Sequence, residues 1–191
     1  MEGQAKDHSL DSTTGDEAQE LVDQGRLHYR QGGFDAALSC LNRAYEGYKA
    51  KGDQSQIAEV ANDIGVVHTV LRQWNLAEKW LYEAHRSFVE MQDYDGEAQT
   101  LGNLGSMFRA RGDLKQAAAN LQLAADRFDL VDDDGRRAST LRVLGIVRLR
   151  QFRFFQALAA FEAALASQPN PTFIHRLLRK LLSLPLRIVQ R

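Results

Sequence analysis

Four glycines, Gly25, Gly65, Gly105 and Gly145, stand 40 residues apart. The same step carries Ala37 to Ala77, Ala117 and Ala157, and Ala44 to Ala84, Ala124 and Ala164. Leu41, Leu81, Leu121 and Phe161 form a fourth column, and Phe34, Trp74, Leu114 and Phe154 a fifth. Five columns in register through four ungapped copies specify a stacked-repeat architecture before any local motif is interpreted. One copy cannot bury both of its faces, so each leans on its neighbours, and such stacks usually bind things rather than transform them.

Each copy holds two amphipathic helical patterns. The first recurs near 17–31, 55–71, 95–111 and 135–151, and the second near 34–51, 74–91, 114–131 and 154–167. Leu101, Leu104, Gly105 and Phe108 show the three-and-four spacing of a buried stripe. No segment alternates with period two, so no sheet is expected. Turns fall at Gly32-Gly33, Gly112-Asp113, Gly52-Asp53 and the aspartate runs near 93–96 and 132–135, where glycine suits a left-handed helix end and aspartate an N-cap. A glycine inside a helix costs about 1 kcal/mol relative to alanine. Its return in every copy predicts a close helix crossing there. Phe34, Trp74, Leu114 and Phe154 are expected to fill the wedge between helices.

Charge is unevenly spread behind a formal net value of −1. Glu2, Asp7, Asp11, Asp16 and Glu17 oppose Lys6 at the start, while 171–191 carries Arg176, Arg179, Lys180, Arg187 and Arg191 with no acid. The body between is nearly neutral, which argues against general nucleic-acid binding. The resulting domain plan is a disordered acidic tail over 1–16, four repeats over 17–53, 54–93, 94–133 and 134–169, and a basic amphipathic helix and tail over 170–191. The single cysteine, Cys40, forms no internal disulfide and reads as a spectator thiol. With no basic start followed by an apolar stretch, and no apolar run of about 18 residues, the expected address is cytoplasmic.

The columns resemble the tetratricopeptide repeat family. Leu104-Gly105-x-x-Phe108, Gly112-Asp113-Leu114, Ala117, Leu121 and Ala124 follow its pattern almost column for column, and Pro169 sits where the family often ends its second helix. The period of 40 in place of 34 implies longer helices, similar to bacterial regulator-type repeats and the scaffold repeats of cell-polarity adaptors. Gln24 replaces the usual leucine in copy one, and Arg148 replaces an aromatic in copy four. The resemblance implies an all-α, right-handed superhelical solenoid of four helical hairpins plus a C-terminal capping helix. Its concave groove, lined by the first helices, would hold a partner segment.

On that reading the groove columns present Asp23, Arg26, Arg30, Asn62, Asp63, Thr69, Asn103, Ser106, Arg109, Arg142 and Arg150. The amides can bond a peptide backbone, and the arginines can hold carboxylates in bidentate pairs. The lysine and asparagine clamp of chaperone-binding members is not reproduced, which disfavours an acidic chaperone tail in the groove. A second candidate surface is Arg176, Arg179, Lys180, Leu184, Leu186, Arg187 and Ile188. It reads either as a cap on the last repeat or as a docking element, with peripheral membrane contact through 171–191 as the alternative.

Enzymatic readings find no support. The His28/His68 column reads as core, and the aspartate runs fail as calcium loops because Met91 and Gly102 stand where ligands belong. No phosphate-binding glycine motif, zinc-ligand cluster or nucleophile with a base is present. The expected function is therefore a non-enzymatic adaptor for a protein or peptide partner, without cofactor or metal and with self-association open. A peptide-sensing regulator is a further alternative.

Overall fold

The computed structural model describes residues 7–167, with side chains from residue 17 onward. These residues form eight α-helices and no strand: α1 (Asp7–Arg30), α2 (Phe34–Lys51), α3 (Gln54–Val70), α4 (Trp74–Met91), α5 (Tyr94–Arg111), α6 (Leu114–Leu130), α7 (Asp134–Arg150) and α8 (Phe154–Ala166). The helices follow the two patterns of each copy. The exception is α1, which begins at Asp7 rather than near residue 17, inside the segment expected to be a disordered tail. The helix and tail expected over 170–191 lie outside the described residues.

The helices end where the chain can turn left-handed. Gly32, Gly52 and Gly112 have positive φ, and so do Arg72, Gln92, Asp132 and Phe152 at the equivalent turns without glycine. Four second turns are started by aspartate. Asp53, Asp93, Asp113 and Asp133 each accept a hydrogen bond from a backbone N–H of the following helix, satisfying donors that the first turn leaves without partners. The aspartate runs are caps, as their turn chemistry predicts.

Helix packing explains the small-residue columns. A Cβ built on Gly25, Gly65 or Gly105 would stand 2.8, 2.7 or 2.6 Å from Cγ of Leu41, Leu81 or Leu121, and one on Gly145 would stand 2.5 Å from Cε1 of Phe161. Two columns of the period thus meet in one contact: the glycine of each first helix receives the leucine or phenylalanine of the second. Ala37, Ala77, Ala117 and Ala157 are fully buried in the same interfaces.

Two compact units divide the chain, Met1–Gln92 and Asp93–Arg191. In the first, α1 packs on α2, α2 on α3 and α3 on α4. Its core gathers Val22, Leu41, Tyr48, Val60, Ile64 and Val67. A second cluster around Ala58, Ala61, Ala84 and Phe88 is joined by Tyr45 and Trp80. Those two rings meet edge to face with centroids 5.1 Å apart, and the Tyr45 hydroxyl donates to Glu83 at 2.5 Å. In the second unit α5, α6, α7 and α8 pack in sequence order around Leu104, Met107, Leu121, Leu144 and Val147. Each such aliphatic side chain contributes about 1.5–3 kcal/mol by leaving water.

One wedge residue departs from its column. Phe34 packs against the core and onto Tyr29, but Phe154 is exposed, its ring set 6.4 Å from that of Phe152. The equivalent position in copy four therefore presents an aromatic surface instead of filling a wedge.

Candidate functional site

The first helices α1, α3, α5 and α7 each keep one face open. Its positions run three and four residues apart: 23, 26 and 30 on α1, then 63, 66 and 70, then 103, 106 and 110, and finally 143, 146 and 150. None of these positions is buried. Because the spacing returns to the same side of a helix, the open positions make a continuous strip along each one.

In the first unit this strip is neutralised from within. The Arg26 Nε donates to Asp63 at 2.7 Å, and its other nitrogens approach Glu59 at 3.6 Å. Burial pushes the Asp63 carboxyl up, and bonds from Arg26 and Asn62 only partly offset that. Burial alone would lower the Arg26 guanidinium, but Asp63 and Glu59 outweigh it and leave it raised. Asp23 and Arg30 remain exposed.

One expected groove contact is corrected here. Asn62 is only 2% exposed and bonds the Asp63 carboxylate, because its column faces inward with Val22. It positions Asp63 and does not face a ligand. The Thr69 hydroxyl donates to the Gly65 carbonyl at 2.9 Å, one turn back in its own helix, and its half-buried oxygen keeps its capacity to accept.

The second unit differs. Asn103 and Ser106 are half-buried on α5, with Arg109 exposed beyond them. On α7, Arg142 donates to the Ser139 hydroxyl at 2.8 Å, and Arg150 is exposed. Among the described residues no carboxylate pairs with Arg109, Arg142 or Arg150. Cations and apolar groups alternate along these faces, since Ile146 and Leu149 lie open between the arginines. The docking residues expected at Arg176, Arg179, Lys180, Leu184, Leu186, Arg187 and Ile188 lie outside the described residues.

No group of three His, Cys, Asp or Glu side chains in the described part is placed to hold a metal ion. His68 is buried, with Nδ1 2.6 Å from Gln73 Oε1. Cys40 is half-buried against the first core. A cavity of about 680 Å³ lies between α1 and α2 and mixes Glu17 and Glu46 with Arg43 and Lys51 over Ala18 and Leu21. No described helix is long and apolar enough to cross a membrane.

Paired antiparallel helices, a glycine under a leucine or phenylalanine in each pair and one open face per first helix define a helical-hairpin repeat protein. The tetratricopeptide repeat model matches residues 56–129 and 97–170, and the chain belongs to that family. No curated protein matches its sequence. Among solved structures it is similar to BtubC (BKLC) from P. vanneervenii, at 20% identity over 81% of this chain and 67% of that one, with a TM-score of 0.72. It is also similar to the TPR2AB domain of yeast Sti1, solved in complex with pHSP90, at 14% identity over 91% of this chain and 86% of that one, with a TM-score of 0.51. At these identities the likeness establishes the fold.

Proposed function

We propose that the chain is a non-enzymatic adaptor that receives a segment of a partner protein on the open faces of its first helices. The observation that carries this reading is apolar surface left in water beside unpaired cations. Val70 on α3 is 44% exposed, and Ile146 on α7 is 50% exposed, one turn from the open Arg150 on the same face. A face needed only for solubility has no use for these side chains, whereas an apolar anchor ringed by charge is how a specific surface gains both energy and register. The matching partner segment is amphipathic, with aliphatic side chains between carboxylates. The solved complex of the Sti1 domain with pHSP90 supports the idea that this architecture can hold a protein partner.

The test is a comparison of baits. Partners captured from the native cell by the full chain are expected to fall at least about tenfold with Arg109→Ala and Ile146→Asp combined, a loss of about 1.4 kcal/mol or more. Because both residues are exposed, the melting midpoint should move by no more than about 0.5 kcal/mol of stability. Undiminished capture by the double variant would remove the first-helix faces as the site.

A further inference from the structure

Arg148 and Arg153 occupy the place where copy two keeps a hydrogen-bonded neutral pair. The turn between helices holds the two positions in the same relation: the N–H of Gly33, Gln73 and Arg153 donates to the carbonyl of His28, His68 and Arg148 at 2.9, 3.0 and 2.9 Å. In copy two the side chains then bond each other, His68 to Gln73. In copy four both are cations. Burial, and then the charge of Arg153, lower the Arg148 guanidinium from its ordinary value. Two like charges brought together where a neutral pair is available are a cost to the fold, and an anion would offset it.

The surroundings fit that anion. A cavity of about 480 Å³ is lined by Lys115, Ala118, Ala119, Arg148, Gln151 and Arg153, with no acid among them. A second cavity, of about 370 Å³, shares Arg148 and Arg153. Among the described residues none of the three cations pairs with a carboxylate. Gln151 Nε2 donates to the Leu114 carbonyl at 2.6 Å, which ties the end of α7 to the start of α6, while its Oε1 is buried and without a donor. Beside the cavity stand Phe152, Phe154 and Phe155, 80%, 61% and 55% exposed.

We infer that the α7–α8 turn of copy four is a second binding site, taking an acidic side chain of a partner protein between Lys115, Arg148 and Arg153. The phenylalanines cover an adjacent apolar side chain of the same segment. This set of groups, cations for a carboxylate and aromatics for an apolar neighbour, is that of a peptide. A flat anionic membrane is the poorer match, because Arg148 is recessed and half-buried. The site uses the start of α6 and the end of α7, so it stands apart from the strips on the first helices and does not depend on them.

The experiment titrates the full chain with a fluorescein-labelled peptide of repeating glutamate, leucine and glycine, read by anisotropy. Saturable binding that weakens between about 0.05 and 0.15 M salt is expected, with none for the glutamine analogue. Arg148→His with Arg153→Gln installs the copy-two pair. It should weaken binding at least about tenfold while leaving the melting midpoint equal or higher. Arg43→Gln with Arg86→Gln removes the same charge from exposed positions elsewhere and should bind as the parent does. Should the first double variant fail to fold, Arg153→Gln alone, at an exposed position, is still expected to lose several-fold. No saturation by about 1 mM, or equal loss in the control variant, overturns the site. Complete displacement by inorganic phosphate would make it a small-anion site. Capture of phosphatidylserine vesicles without peptide binding would make it a lipid site. Either result overturns the peptide assignment.

Discussion

The two ends of α7 carry arginines in opposite circumstances. At its start Arg136 pairs with Asp95 and Asp133 and lies over the Phe128 ring, 4.7 Å from the centroid, and Arg137 pairs with Asp129. At its end Arg148 faces another arginine, and Arg150 is open to solvent. The helix dipole accounts for part of the asymmetry. A cation at the N-terminus meets partial positive charge and needs carboxylates to tolerate it, whereas one at the C-terminus is stabilised by about 0.3–1 kcal/mol without any. The lesson is that equal charge does not mean equal role. Arginines at the start are used up in holding the repeat together, and those at the end remain available to something outside it.

The largest test of that comparison lies between the two ends, at the close crossing that fixes both. Gly145→Ala should cost about 1–3 kcal/mol in urea unfolding, because the added methyl meets the Phe161 ring rather than a pliable chain end. Gly135→Ala, at the start of the same helix, should instead be neutral or stabilising by up to about 1 kcal/mol, since its Cβ meets nothing closer than 3.5 Å. Equal costs at the two sites would show that α7 is not pinned at its centre.

A smaller difference separates the arginines themselves. Arg136→Ala is expected to lose about 1 kcal/mol, a figure held down by the solvent exposure of its ion pairs. Arg150→Ala should stay within about 0.5 kcal/mol. Matching melting midpoints for the two variants would break the distinction between structural and available charge.

The smallest effect is one of slope. Backbone and side-chain bonds from Arg136 hold the Asp133 carboxyl below its ordinary range, so its contribution is present above the unfolded value and fades as pH falls through the folded one. Asp63 is raised, mainly by burial, so the folded state takes up its proton more readily and the sign reverses. Comparing wild type with Asp133→Asn between about pH 3 and 6, where carboxylates titrate, should show the wild-type advantage shrinking as pH falls. The same comparison with Asp63→Asn should shift in favour of wild type. Parallel slopes for the pair would contradict these environments.

Reading the fold from the sequence worked wherever a residue's role repeats. The glycine column announced a close helix crossing made in every copy, and the structure supplies what crosses there, Leu81 against Gly65. The site was less legible because exposure depends on what a neighbouring helix does, and columns do not encode that. Asn62 looked like a groove amide beside Asp63, yet its side chain turns inward to bond that same carboxylate. Arg148 stood out as a break in an aromatic column. Its meeting with Arg153 was hidden because five positions of separation bring two side chains together only when the intervening turn is left-handed at Phe152. The signal existed in the column Gly33, Gln73, Asp113, Arg153, whose last member reverses the charge of the one before.

Within each unit, helices pack on their neighbours in sequence, with only a slight further contact between α1 and α3. Contacts this local require little loop closure before they form, and chains dominated by them fold in microseconds to milliseconds. Synthesis is far slower: at about 5–20 residues per second, a 40-residue copy takes about 2–8 s to emerge. Within each unit the first hairpin can close long before the second is made and then serve as the surface on which it settles. A growing chain of this kind never has to keep much more than one copy of bare apolar surface in water.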